Sequence, residues 1–166
     1  QIIGTEEGVK KIAGMYLMLT KRGPLFLADT TVNFNPTAEE LADITLMVAK
    51  EIRSFNITPR IAMLSYSNFG SSNSPEAGLV AKARKIVKQK MPALIVDGEM
   101  QASVAFNKEL MKENYPFSEL ADKDVNTLIF PNLSAGHIAY NLLKEIGTAD
   151  AVGPILLGLN KPVHIL

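Results

Sequence analysis

Cysteine is absent from the 166 residues. That excludes a disulfide framework and any thiolate metal site, and it points to a reducing compartment, by default the cytoplasm. Net charge is absent too. The 17 lysines and arginines balance 17 aspartates and glutamates, so no summed field exists to draw in nucleic acid or an anionic membrane surface. Small-molecule and protein partners are expected instead, with no nucleic acid and no membrane. The longest apolar runs, such as residues 61–64 and 155–159, fall far below the roughly 20 residues that a membrane-spanning helix needs. Histidine is scarce: His137 and His164 are the two. Neither has paired acidic residues at metal-ligand spacing, so no metal is expected. A Gly-x-Ser-x-Gly elbow and a Gly-x-Gly-x-x-Gly fingerprint are also missing, which removes the usual hydrolase and dinucleotide signals.

What is present is a regular alternation of apolar strands and amphipathic helices. Residues 15–19 and 25–29 flank Lys21-Arg22-Gly23-Pro24 and read as a hairpin. Thr37 then caps a helix over residues 38–55, with Leu41, Ile44, Thr45, Val48 and Ile52 on one face and Glu39-Glu40 in the first turn. Strands follow at 61–65, 93–97 and 127–130. Between and after them come helices at 75–90, 101–114 and 134–146, the last stopping at Gly147. Strands joined by crossover helices form a three-layer α/β sandwich with a mostly parallel sheet. The hairpin is expected to add an antiparallel edge. One domain spans residues 1–166. A start at Gln1 without an initiator methionine and the apolar ending Ile165-Leu166 suggest a piece of a longer polypeptide.

Ligands of such sheets bind outside the carboxyl ends of the strands, which singles out three segments. Ser65-Tyr66-Ser67-Asn68-Phe69-Gly70-Ser71 offers hydroxyls and a glycine that lets backbone N–H groups approach a phosphate or carbonyl; a solvated turn is the equal alternative. Asp97-Gly98-Glu99-Met100-Gln101 places a carboxylate at a strand end. Asp97 can contact a ligand or cap the next helix, and sequence alone favours the cap. In Pro131-Asn132-Leu133-Ser134-Ala135-Gly136, small residues open a helix whose free N–H groups favour an anion. The candidate ligand residues are therefore Ser65, Ser67, Asn68, Gly70, Ser71, Asp97, Gln101, Asn132, Ser134, Ala135 and Gly136, with none assigned to catalysis.

These three segments, with Val152-Gly153-Pro154 through Lys161-Pro162-Val163 and with Ala28-Asp29 ahead of Val32-Asn33, resemble the phosphate acetyltransferase and butyryltransferase family over nearly the whole chain. The resemblance implies the second domain of that family, of the isocitrate and isopropylmalate dehydrogenase type. Such a domain carries much of a homodimer contact and holds half of an active site that lies in a cleft. It also implies two departures. An arginine that helps hold the acyl phosphate falls where this chain has Glu145, and the serine-arginine pair that orients the CoA thiol would follow Val163 beyond Leu166.

The run from Thr20 to Asn33, with Asn35-Pro36-Thr37, looks more like the C-terminal domain of large bacterial malic enzymes, which senses acetyl-CoA. On that resemblance acetyl-CoA is the ligand, and the partners are a second copy and the malic-enzyme domains of the same chain. NADP and a divalent metal belong to those domains. Acyl transfer to phosphate and a purely structural dimerisation role are the alternatives.

Overall fold

The computed structural model describes residues 12–147, 150–158 and the backbone of 163–164. In chain order the elements are β1 (Ala13–Thr20), β2 (Gly23–Ala28), α1 (Ala38–Ser54), β3 (Arg60–Leu64), α2 (Pro75–Lys90), β4 (Ile95–Met100), α3 (Ala102–Ala105), α4 (Lys108–Asn114), β5 (Thr127–Ile129), α5 (Leu133–Ile146), β6 (Asp150–Leu157) and β7 (Val163–His164). The strands form one sheet in the order β4-β3-β5-β2-β1-β6-β7. β4, β3, β5 and β2 run parallel, β1 opposes them, β6 returns to their direction and β7 opposes β6. The sheet is thus mixed but mostly parallel.

Both faces are covered, which gives the three layers. Met15, Phe26, Ile61, Met63 and Val96 pack against Leu41, Ile44, Val48 and Ile52 of α1 and Val80, Ala83 and Val87 of α2. On the other face Met18, Leu27, Ala62, Leu128 and Phe130 meet Val104, Met111, Leu120 and Tyr140. The two-residue period of the strands sorts neighbours such as Ile61 and Ala62 into opposite cores.

Local chemistry sets the helix ends. Thr37 begins α1 with a reciprocal capping box: Glu40 N–H donates to Thr37 Oγ1 at 3.1 Å, and Thr37 N–H donates to Glu40 Oε1 at 3.4 Å. The single helix expected over 101–114 is instead two, because Asn107 accepts the Leu110 N–H at 3.0 Å and starts α4 afresh.

Two further expectations are corrected. The hairpin of β1 and β2 does not form an edge. β5 pairs with β2 and β6 with β1, so it lies inside the sheet. Nor does Asp97 end a strand or cap a helix. β4 runs on to Met100 because Gly98 (φ 148°) passes against β3, where a Cβ would sit 2.5 Å from the Met63 carbonyl. Gln101 occupies the cap position of α3. Asp97 instead accepts from Ser118 Oγ at 2.7 Å and from Gly98 N–H at 2.9 Å. Beside it Glu119 accepts the Val96 N–H at 2.6 Å, so side chains occupy donors along the outer edge of β4.

Candidate functional site

The loops after β3 and β5 leave the sheet at the same end, because these strands are parallel neighbours with Met63 opposite Ile129. Between them lies a groove of about 230 Å³ lined by Leu64, Ser65, Tyr66, Glu76, Pro131 and Ala135. A second groove, of about 390 Å³, lies beside the first turn of α5, lined by Tyr16, Thr30, Thr31, Ser134, His137 and Ile138. Thus Ser65 and Ala135 meet in one groove while Ser134 faces the other.

The remaining candidates build the loops. Ser67 is buried. Its hydroxyl lies 3.1 Å from that of Ser71 and accepts the Ser72 N–H at 2.9 Å, and the Ser71 hydroxyl accepts the Asn68 N–H at 2.9 Å. Asn68 Oδ1 accepts the Gln101 N–H at 2.8 Å, and Gln101 Nε2 donates to the Tyr66 carbonyl at 2.7 Å. Gly70 turns the chain at φ 87° and donates its N–H to Glu99 Oε2 at 3.3 Å. Asn132 caps α5 by accepting the Ala135 N–H at 2.9 Å. Gly136 lets α5 press onto the turn after β2, where a Cβ would come 2.5 Å from the Asp29 carbonyl oxygen.

Glu145 does not join this set. It is exposed near the far end of α5, eleven residues beyond Ser134 and so about 16 Å away along the axis at 1.5 Å per residue. It lines neither groove, the nearer of which reaches along α5 as far as Ile138.

The sequence reading did not single out Asp29 as a site-building residue, although it organises the second groove. Only 3% exposed, its carboxylate accepts N–H groups from Gly14 (3.1 Å), Thr31 (2.9 Å), Val32 (3.1 Å) and Asn33 (2.8 Å), and also the Asn33 amide. The available signal was an aspartate after an apolar strand and before Thr-Thr-Val-Asn, the pattern of a side chain bonding its own following backbone. The turn exposes Thr31 and places the buried Thr30 beside it against the groove. His137 Nδ1 lies 3.3 Å from the Thr30 carbonyl, which makes Nδ1–H the donor in the neutral ring. Tyr16 stacks on Tyr140 with centroids 3.7 Å apart, and its phenol is pushed up to about 12 by burial first and then by Tyr140. Among the described residues no cluster of three or more His, Asp or Glu is placed to hold a metal ion.

A mostly parallel sheet covered on both faces, with grooves at its strand carboxyl ends, defines an α/β domain of the doubly covered class, in which such ends are where ligands are seated. The chain belongs to the phosphate acetyl/butaryl transferase family, whose model matches residues 1–166. It is 50% identical over 165 residues to an NADP-dependent malic enzyme of Haemophilus influenzae, covering 99% of this chain and 22% of that protein. It is 43% identical over 166 residues to a phosphate acetyltransferase of Bacillus subtilis, covering 100% of this chain and 51% of that one. A phosphotransacetylase structure from Streptococcus pyogenes superposes with a TM-score of 0.91 at 41% identity, over 98% of this chain and 50% of that one. The chain therefore spans between about a fifth and half of the length of these relatives. No described helix is long and apolar enough to cross a membrane.

Proposed function

We propose that this domain binds acetyl-CoA at the strand-end grooves and regulates a malic-enzyme polypeptide without itself transferring acyl groups. One observation carries the reading: among the described residues no lysine or arginine lines either groove, and Glu76 is the one acidic residue of their described lining. An acyl phosphate is a dianion and needs charge-assisted donors in its site. The acyl-pantetheine arm of acetyl-CoA is uncharged, and it suits a lining of Ser65, Thr30, Thr31, Ser134 and Tyr16 hydroxyls among Leu64, Leu133 and Ile138. On this reading malate oxidation, with its NADP and divalent metal, belongs to segments outside this chain. The coupling of acetyl-CoA to that oxidation is a free energy linking two sites.

The test uses the full-length polypeptide. Acyl transfer from acetyl phosphate to CoA is expected to stay at background while the rate of malate oxidation changes with acetyl-CoA. Robust transfer overturns the non-catalytic reading. Oxidation indifferent to saturating acetyl-CoA overturns the regulatory one.

A homodimer accompanies this reading. α5 turns Ile138, Leu142 and Ile146 outward at 59%, 55% and 81% exposure, and their four-residue spacing makes one stripe along the helix. An uncharged stripe is self-complementary across a two-fold axis.

A further inference from the structure

The end of the sheet opposite the grooves carries a concavity of its own. β2, β3 and β5 begin there, at Gly23, Arg60 and Thr127. A cavity of about 280 Å³ is lined by Arg22, Lys108, Lys123 and Phe106. A smaller one of about 120 Å³ shares Arg22, Phe106 and Asp124 with it and adds Arg60. Among the described residues four cations thus surround adjoining cavities whose lining holds a single carboxylate, Asp124, in a chain whose charges sum to zero.

Two of the cations are open. The Arg22 guanidinium lies over the Phe106 ring, 5.6 Å from its centroid, and donates to the Phe106 carbonyl at 3.4 Å. These contacts orient it without neutralising it. Lys123 has only Asp122 at 3.9 Å among the described residues. Lys108 is matched to Asp124 at 2.9 Å. The Asp124 carboxyl is held below its usual range first by Lys108, and four cations against that one carboxylate leave the described lining net positive.

We propose that this cavity binds a small phosphorylated anion, with Arg22 and Lys123 supplying the open charges. Arginine's planar fork matches phosphate oxygens and lysine adds a point charge. Convergence on a compact cavity, rather than along a track, suits a diphosphate-sized ligand better than an acidic protein segment. The site does not depend on the acetyl-CoA reading, because the six residues of β2 separate it from the grooves, about 20 Å of extended chain.

CoA carries a diphosphate and free inorganic pyrophosphate presents the same chemistry, so the experiment titrates each into the full-length polypeptide by calorimetry at low ionic strength. Pyrophosphate is expected to bind at one site per chain. Arg22→Gln and Lys123→Gln should each weaken binding about tenfold, while Lys85→Gln, on α2 behind the sheet, leaves it unchanged. Asp124→Asn should tighten binding, a gain that misfolding cannot mimic. Competition by CoA assigns the diphosphate of CoA as the ligand group, and its failure to compete assigns a separate phosphorylated ligand; both support the site. Absence of pyrophosphate binding overturns it, as does binding that Arg22→Gln and Lys123→Gln leave intact or that Lys85→Gln weakens equally. Acetyl-CoA binding that survives loss of the pyrophosphate site leaves the groove reading standing by itself.

Discussion

Replacing Asp29 with asparagine removes one charge and no volume, so it isolates what the buried carboxylate does. Oδ1 accepts three N–H groups, from Gly14, Thr31 and Val32, and Oδ2 accepts the Asn33 N–H and side-chain amide. The best asparagine orientation keeps the three and turns an NH2 toward the two Asn33 donors. Two hydrogen bonds to a charged group are lost at about 1.5–3 kcal/mol each. Water reaching the half-exposed Asn33 offsets part of that, which leaves about 3 kcal/mol. For a chain of this length each kcal/mol lowers the melting temperature by about 2–4 °C, so a fall of about 6–12 °C is expected in a thermal scan, with Asp29→Ala falling further. Acetyl-CoA affinity should drop in both variants below their melting temperatures, because Thr30 and Thr31 lose their anchor. Asp29→Asn within about 0.5 kcal/mol of wild type, the range of ordinary surface changes, would refute the assignment.

Gly136→Ala drives a methyl against the Asp29 carbonyl, a backbone atom with no rotamer to escape into. Urea unfolding should show a loss of about 1–3 kcal/mol, and an unchanged midpoint would mean that α5 is looser than described. Tyr16, raised to about 12 chiefly by burial, should give an ionisation step near pH 12 in an ultraviolet titration, and Tyr16→Phe should delete that step. Its unfolded counterpart ionises near 10.0, so the stability tied to the neutral phenol is full below pH 10 and is lost as pH rises toward 12; a flat profile there contradicts the shift. If α5 carries the proposed dimer contact, Leu142→Glu should give a monomer in sedimentation with an unchanged circular-dichroism spectrum, and a dimer that persists would move the interface off α5.

Much of the architecture was legible because local and global signals agree. The apolar spacing from Leu41 to Ile52 and the Thr37 cap both specify α1, and the strand-end rule located the loops after β3 and β5 correctly. The break at Asn107 was missed because its side chain competes with the helix backbone, an effect periodicity does not register. The place of the hairpin was missed because register with β5 and β6 is a long-range property. Within the site, composition identified Ser67, Ser71 and Asn68 as polar loop residues but did not reveal that they bond one another rather than face a groove. Glu145 drew weight from the family resemblance alone, and it stands exposed in α5 outside the lining of both grooves.

The interior position of the hairpin also fixes when the sheet can close. β1 and β2 pair with each other early in the chain, yet the partners for their outer edges, Thr127–Ile129 and Asp150–Leu157, come more than a hundred residues later. During synthesis the β2 flank stays unsatisfied until β5 emerges, and the β1 flank until β6, near the end of the described chain. Such non-local pairing slows folding and exposes strand edges to other chains. A truncation before β6 would therefore yield an aggregating fragment rather than a smaller stable domain, and a ribosome-bound intermediate of this chain is a natural client for a holdase chaperone.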